Sequence, residues 1–313
     1  MRYTDFLGYR ISKLTLGTVA LGLDYGISNT GAKPSQQESF DLLSTAVRGG
    51  INSMDTASSY GNAESVLGSF LATLPHQNHP VITTKFRMLP EDLGNRKLLF
   101  EKVRESILHS LELLKLDSVP FCLFHMPDNL SQKSVQDLLP ELLTSLKAEK
   151  LIDIGGVSVY HPQEVAWWID VPEVQALQIP MNIMDHRLAK AGLLKELAEK
   201  QKSVFVRSVF LQGLFFMDPE KLSGNLLVAA PFLRQLRVLA ESAGLSIAQL
   251  AFSYIKDIPE VTSIIFGAVT PAQVKENLEM VNLPKLSENI KQRIEIAFRE
   301  VPEHILMPGT WKY

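Results

Sequence analysis

Cysteine is nearly absent: Cys122 is the only one in 313 residues. No intrachain disulfide can form, so the fold must rest on its core, and the usage suits a reducing compartment such as the cytoplasm. Long apolar runs are missing too. No uncharged stretch reaches the roughly 18 residues that a membrane-spanning helix needs. The opening MRYTDFLGYRIS holds no apolar segment of the kind a signal peptide carries. No charge sign dominates: net charge is −3 with Lys and Arg scattered, which leaves no basic surface for nucleic acid. Histidines are few, and His109, His161, His186 and His304 lack the spacing of a metal site. No low-complexity linker divides the chain. The length permits one full core without staples, since a chain of this size buries roughly three quarters of its unfolded surface.

The chain does have a steady alternation of strand and helix patterns. LTLGT (14–18) reads as the first core strand, after a polar stretch that suits a hairpin across a barrel bottom. SQQESFDLLSTAVRGG follows as a helix, with Ser35 at its N-cap and Gly49-Gly50 as its stop. INSMDTA, VITTKF, VPFCLFH, IDIGGVSVY, ALQIPMN, SVFVRSV and TSIIFGAV read as strands two to eight. Between them lie helical patterns in AESVLGSFLATL, Arg96 to Leu116, SVQDLLPELLTSLKAEK, HPQEV, AKAGLLKELAEKQ, PFLRQLRVLAESAG and SIAQLAFSYIKD. TPAQVKENLEMV and SENIKQRIEIAFRE are helical as well, and the tail VPEHILMPGTWKY closes the chain. LQGLFFMDPEKLSGN reads as an irregular flap after strand seven.

Eight strand-helix units with near-continuous apolar strands predict a parallel sheet covered by helices. No G-x-G-x-x-G follows the first strand, so the fingerprint of the open dinucleotide-binding sheet is missing. The prediction is an α/β fold, a (β/α)8 TIM barrel forming one domain over residues 1–313, with a C-terminal helix and tail.

Four residues then stand out. Asp55, Lys85 and His125 lie at the ends of strands two, three and four, and Tyr60 lies in the loop after Asp55. A parallel barrel gathers its strand ends on one face, where such enzymes do chemistry. Each residue alone has a plain structural explanation: a cap, a turn, a solvated charge, a core histidine. Together, at successive strands, they make a proton-transfer device. An ordinary phenol holds its proton to a pH of about 10. A neighbouring cation favours the phenolate. Lys85 can supply that cation, with Asp55 keeping it charged and aimed.

The segments LTLGT, GGINSMDTASSYGNAESVLG, VITTKF, FHMPD, IGGVSVY and FGAVTPAQVKENL resemble the aldo-keto reductase family over nearly the whole chain. The resemblance implies reversible reduction of an aldehyde, ketone or sugar-like carbonyl with a nicotinamide cofactor. It places the acid-base tyrosine on Tyr60, its lysine on Lys85, its aspartate on Asp55 and its histidine on His125. It implies cofactor contacts from Thr18, Asp55, Ser158, Gln178, Arg207, Ser208, Leu211, Gly213, Gly267, Gln273, Glu276 and Asn277. Val159 stands where the family has an asparagine. Arg207 stands where many relatives have an aromatic, so its guanidinium could stack on the nicotinamide instead. The family favours NADP, but GAVTPAQ carries no cation for a 2′-phosphate; Lys275 or Lys221 would have to substitute, and NAD stays possible. Phe86, Met88, Met126, Phe215, Phe216 and Trp311 are candidates for the pocket mouth, with Trp311 and Tyr313 expected to pack. Some relatives act as redox-sensing subunits with little turnover, which is the alternative function. A barrel aldolase using Lys85 as a Schiff base would leave Tyr60 and Asp55 without a purpose. The expected partner is a small carbonyl or sugar-like molecule, with no nucleic acid and no membrane.

Overall fold

In the computed structural model, which describes residues 1–24, 33–127 and 132–312, the β-branched and aromatic runs form strands. Tyr3–Phe6 (β1) and Tyr9–Ser12 (β2) make an antiparallel hairpin. Leu7 and Gly8 at its tip have φ of 45° and 89°, the left-handed pair that fits a two-residue turn to the twist of its strands. The remaining strands are Leu14–Gly17 (β3), Ser53–Asp55 (β4), Val81–Phe86 (β5), Val119–His125 (β6), Ile152–Ser158 (β7), Ala176–Pro180 (β8), Ser203–Arg207 (β9) and Ser263–Gly267 (β10). They pair in parallel and close on themselves in the order β10-β3-β4-β5-β6-β7-β8-β9. This is the predicted eight-stranded barrel.

The hairpin plugs the bottom. Ile11, with Phe6 and Tyr9 beside it, packs on Phe121, Leu123, Ile154, Ala176 and Phe205, which point inward near the strand starts. Above this apolar plug sits a polar layer, where the Thr15 hydroxyl donates to Ser53 Oγ at 2.9 Å and lies 2.7 Å from Ser263 Oγ. The barrel interior is therefore filled from below.

Helices cover the outside. Gln36–Arg48 starts at Ser35 as predicted: Ser35 Oγ accepts from the Glu38 amide, and the Glu38 carboxylate accepts from the Ser35 amide. Ala63–Leu71 and Arg96–Leu114 approach so closely that a Cβ on Gly68 would lie 1.9 Å from the Leu113 carbonyl oxygen. Gly68→Ala is therefore expected to force the two helices apart and cost about 1–3 kcal/mol. A thermal unfolding curve unchanged from the parent would contradict that contact.

Two expectations need correction. The sixth helix is two short pieces, Arg187–Lys190 and Leu193–Glu199, because Gly192 between them has φ of 73° and breaks the α ladder. The flap after β9 is only partly irregular: it carries short 3-10 turns in Leu211–Phe216, which is kinked at Gln212 and Gly213, in Pro219–Lys221 and in Gly224–Ala229. Leu211, Leu214, Phe215, Leu222 and Leu226 pin it into a second core with Phe298, Ile305 and Leu306 of the C-terminal region. Helix Glu288–Ala297 and the tail pack there too. The Trp311 indole N–H donates to the His304 and Ile305 carbonyls, so that tryptophan packs as expected. Tyr313, and Asp128 of the FHMPD segment, lie outside the described residues. No single helix among the described residues is long and apolar enough to cross a membrane.

Candidate active site

Asp55 ends β4, Lys85 is the second-last residue of β5, and His125 ends β6. Parallel pairing without long stagger (Asp55 beside Thr83, Lys85 beside Leu123) therefore brings their side chains to one rim. Tyr60 reaches the same place from the turn after β4. That turn is fastened by the Ser58 amide and hydroxyl, which both donate to the Lys85 carbonyl at 3.2 and 3.0 Å. It also leans on the segment after β3, where a Cβ on Gly22 would lie 1.8 Å from the Tyr60 carbonyl oxygen.

Lys85 is 1% exposed. Its Nζ donates to both Asp55 oxygens at 2.7 and 2.8 Å, to the Thr56 carbonyl at 2.7 Å and to the Tyr60 hydroxyl at 3.4 Å. Burial alone would lower the affinity of Lys85 for its proton. The charge of Asp55, together with Tyr60, outweighs burial and raises it above the usual lysine range. The ammonium is thus held charged in a dry place. His125 stands edge-on to Tyr60, ring centroids 6.5 Å apart. Burial, then the positive charges of Lys85, Arg207 and Arg87, push the His125 pKa down to about 3. The imidazole is neutral, and its Nδ1 is buried without a partner.

Behind these groups runs a hydrogen-bond chain. The Ser158 hydroxyl donates to Gln178 Oε1 at 3.1 Å, and Gln178 Nε2 donates to Asp55 Oδ1 at 2.7 Å. Gln178 thereby shares the Asp55 carboxylate with Lys85. Glu64, the last residue of the D-T-A-x-x-Y-G-x-x-E segment, is not at the rim. It is buried, accepts from the Thr84 and Ser110 hydroxyls, and burial raises its proton affinity.

A cavity of about 520 Å³ extends from Tyr60 and His125 to the start of helix Pro271–Met280. Of the residues predicted to hold a cofactor, Asp55, Gln178, Arg207, Ser208, Gly213, Gly267, Gln273, Glu276 and Asn277 line it. Thr18, Ser158 and Leu211 do not; each is fully buried behind the wall. Asn277 is 7% exposed, its Nδ2 donates to the Gln273 carbonyl, and its Oδ1 has no partner. Neither Lys275 nor Lys221 lines the cavity, and Lys221 lies 3.9 Å from Asp218. Of the pocket-mouth candidates, only Phe216 lines it. Phe86, Met88, Met126 and Phe215 are core residues. Phe86 follows Lys85 in the strand, so it points the other way and meets Phe124 with ring centroids 5.8 Å apart.

Sequence reasoning missed Tyr160. Its hydroxyl lies 3.3 Å from His125 Nε2 and its ring is parallel to the imidazole within 13°. The available signal was position: it lies two residues past Ser158, and so leans to the same side as that strand-end residue. The Arg207 guanidinium sits 4.6 Å over the Tyr160 ring and donates to the Val159 carbonyl at 2.9 Å.

The model of the aldo/keto reductase family matches residues 13–297. The chain belongs to the aldo/keto reductase family. It is an oxidoreductase of carbonyl compounds, and its closed barrel is the family's fold. It is 26% identical to the NADH-specific methylglyoxal reductase of Escherichia coli, over 94% of this chain and 95% of the relative. It is 23% identical to a probable voltage-gated potassium channel subunit beta of Oryza sativa, over 95% of each. A holo aldo-keto reductase from Bacillus halodurans superposes with a TM-score of 0.75 at 21% identity, covering 93% of each chain. No group of three metal-ligating side chains occurs among the described residues.

Proposed function

We propose that this aldo/keto reductase reduces a small aldehyde, ketone or sugar-like carbonyl to its alcohol with NAD(P)H, with Tyr60 as the acid and base. One observation carries this: the buried Lys85 ammonium is shared between the Asp55 carboxylate and the Tyr60 hydroxyl, beside a neutral His125 at one end of a long cavity. The cavity suits a dinucleotide. Asn277 Oδ1 is an orphaned acceptor in its far wall, and buried polar atoms without partners call for one. Gln178, Ser208, Gly213, Gln273, Glu276 and Asn277 would hold the cofactor there. The bound nicotinamide would supply a hydride to the carbonyl carbon.

The protein's own groups supply the rest. His125 Nε2 takes the carbonyl oxygen as hydrogen-bond partner in place of the Tyr160 hydroxyl and fixes its position. Tyr60 releases its proton to that oxygen as the oxygen gains charge. Lys85 stabilises the phenolate left behind, and Asp55 with Gln178 keeps Lys85 aimed. One hydride and one proton convert the carbonyl to the alcohol, and the reverse sequence oxidises it.

The pH dependence follows from His125. Unfolded, it takes a proton below a pH of about 6.5; folded, it resists protonation down to about 3. Its contribution to stability is present above pH 6.5 and is lost as pH falls toward 3. Turnover should therefore show no limb from His125 between pH 5 and 8. A His125 imidazole resonance titrating near neutrality in NMR would contradict this.

The resemblance implied NADP with NAD possible, and the residues lining the cavity support NAD. The far end of the cavity carries Glu276 and, among the described residues, no Lys or Arg. A 2′-phosphate gains no cation there, so NADH should bind at least as tightly as NADPH. Dissociation constants from fluorescence titration decide it; tenfold tighter NADPH would overturn it. The second reading is a redox-sensing subunit with little turnover, supported only by likeness to a plant relative named as a probable channel subunit. Many product molecules formed per chain in a carbonyl assay would exclude that role.

A further inference from the structure

We propose that Tyr160 selects the substrate: its hydroxyl binds a second oxygen on the carbon next to the carbonyl, so that 2-hydroxy aldehydes or ketones are preferred. This rests on the reductase function above and specifies its substrate class.

The Tyr160 hydroxyl has one partner among the described residues, His125 Nε2 at 3.3 Å. Both residues line the cavity together with Tyr60. The rest of Tyr160 is fastened. Its amide donates to the Glu164 carboxylate at 2.6 Å, at the start of helix Pro162–Trp168. Its ring lies 4.6 Å from the Arg207 guanidinium and parallel to the imidazole within 13°. The hydroxyl is thus carried to the reaction centre on a held ring.

The His125 tautomer sets what this hydroxyl can do. A neutral imidazole carries its proton on one nitrogen and accepts at the other. His125 Nδ1 is buried without a partner. A proton there would bury an unanswered N–H, and an orphaned buried N–H is rarer than an orphaned acceptor. The proton therefore sits on Nε2, which donates to the Tyr160 oxygen. The O–H of Tyr160 is left free to donate into the cavity.

Substrate binding puts that donor to use. The His125–Tyr160 contact of 3.3 Å is longer than the usual N–H···O range, which ends at ~3.2 Å. A carbonyl oxygen can exchange for it at little cost. The incoming oxygen, held by Tyr60 and Nε2, comes to lie beside the Tyr160 hydroxyl. Its lone pairs are then taken, and Tyr160 needs another acceptor. A methyl group in that place leaves the hydroxyl unpaired, whereas an oxygen one carbon away satisfies it. Both oxygens must lie on one side of the bond between their carbons. A 2-hydroxy group does so readily, whereas two adjacent carbonyls turn their dipoles apart.

The test uses pairs that exchange one hydroxyl for a methyl: glycolaldehyde against propionaldehyde, and hydroxyacetone against butanone. Intrinsic reactivities cancel when the parent's ratio of kcat/KM within a pair is divided by the ratio in Tyr160→Phe, which keeps the ring and loses only the hydroxyl. In at least one pair that quotient is expected to be roughly threefold to tenfold, the effect of one hydrogen bond. The change should fall chiefly on KM, since the second oxygen does not react. Tyr160→Phe should turn over the methyl members as fast as the parent or faster, because a competitor for His125 Nε2 is gone. A merely structural role for Tyr160 would slow all four compounds alike. A quotient of about one or less in both pairs, or a loss common to all four, overturns the assignment while leaving the reductase function intact. Turnover of none of the four by the parent overturns both.

Discussion

Replacing Tyr60 with Phe is expected to reduce carbonyl turnover by roughly 10²–10⁴-fold, a loss of about 3–5 kcal/mol in transition-state stabilisation. The substitution removes one oxygen and little else. The ring keeps its edge-on contact with His125 and its place 4.9 Å from the Lys85 ammonium. Lys85 keeps both Asp55 oxygens and the Thr56 carbonyl. Stability and dinucleotide binding should therefore change little, and the deficit should fall on kcat. Near-parental kcat in this variant would remove Tyr60 from the chemistry.

Lys85→Met is expected to do two things at once. It abolishes the stabilisation of the phenolate, and it leaves Asp55 as a buried carboxylate without its cation. Breaking a buried ion pair from one side costs about 3–5 kcal/mol. Gln178 Nε2 still donates to Asp55 Oδ1, which offsets part of that loss. Denaturant unfolding measures the drop. The double variant Lys85→Met with Asp55→Asn should recover stability relative to the single one, because the orphaned charge is gone, though not activity. A single variant as stable as the parent would mean that the pair contributes nothing to folding.

The sequence made the barrel legible because its strands are buried on both faces. Val, Ile and Phe runs such as VITTKF and VPFCLFH have few other uses, and capped helical stretches separate them. Asp55, Lys85 and His125 could be assigned because each is a polar residue ending or nearly ending an apolar run. Strand ends in a closed barrel share a rim, so their meeting needed only topology. Tyr60 was legible by its place in the loop just after Asp55, but its assignment as the acid and base leaned on the resemblance, since a turn residue has no periodicity to place it. What stayed hidden depends on side-chain direction and on distant packing. Phe86 is next to Lys85 in sequence yet faces the outer core. Gly192 breaks a helix whose apolar pattern runs straight through it. Leu211 and Phe215 sit in a stretch rich in Gly, Pro and Asp that looks like loop, but they anchor a second core against Ile305 and Leu306. Tyr160 and Arg207 find each other through a cation–ring contact between residues 47 positions apart in sequence, which no local pattern encodes.

The most direct measurement follows a label from cofactor to product. Reduced nicotinamide deuterated at the transferred position of its C4, saturating in both proteins, should give parental product carrying one deuterium on the carbinol carbon. In Tyr60→Phe the same label should appear hundreds of times more slowly or worse. A parental product without deuterium, or a Tyr60→Phe variant that labels its product as fast as the parent, would contradict proton donation by Tyr60 coupled to hydride transfer in this cavity.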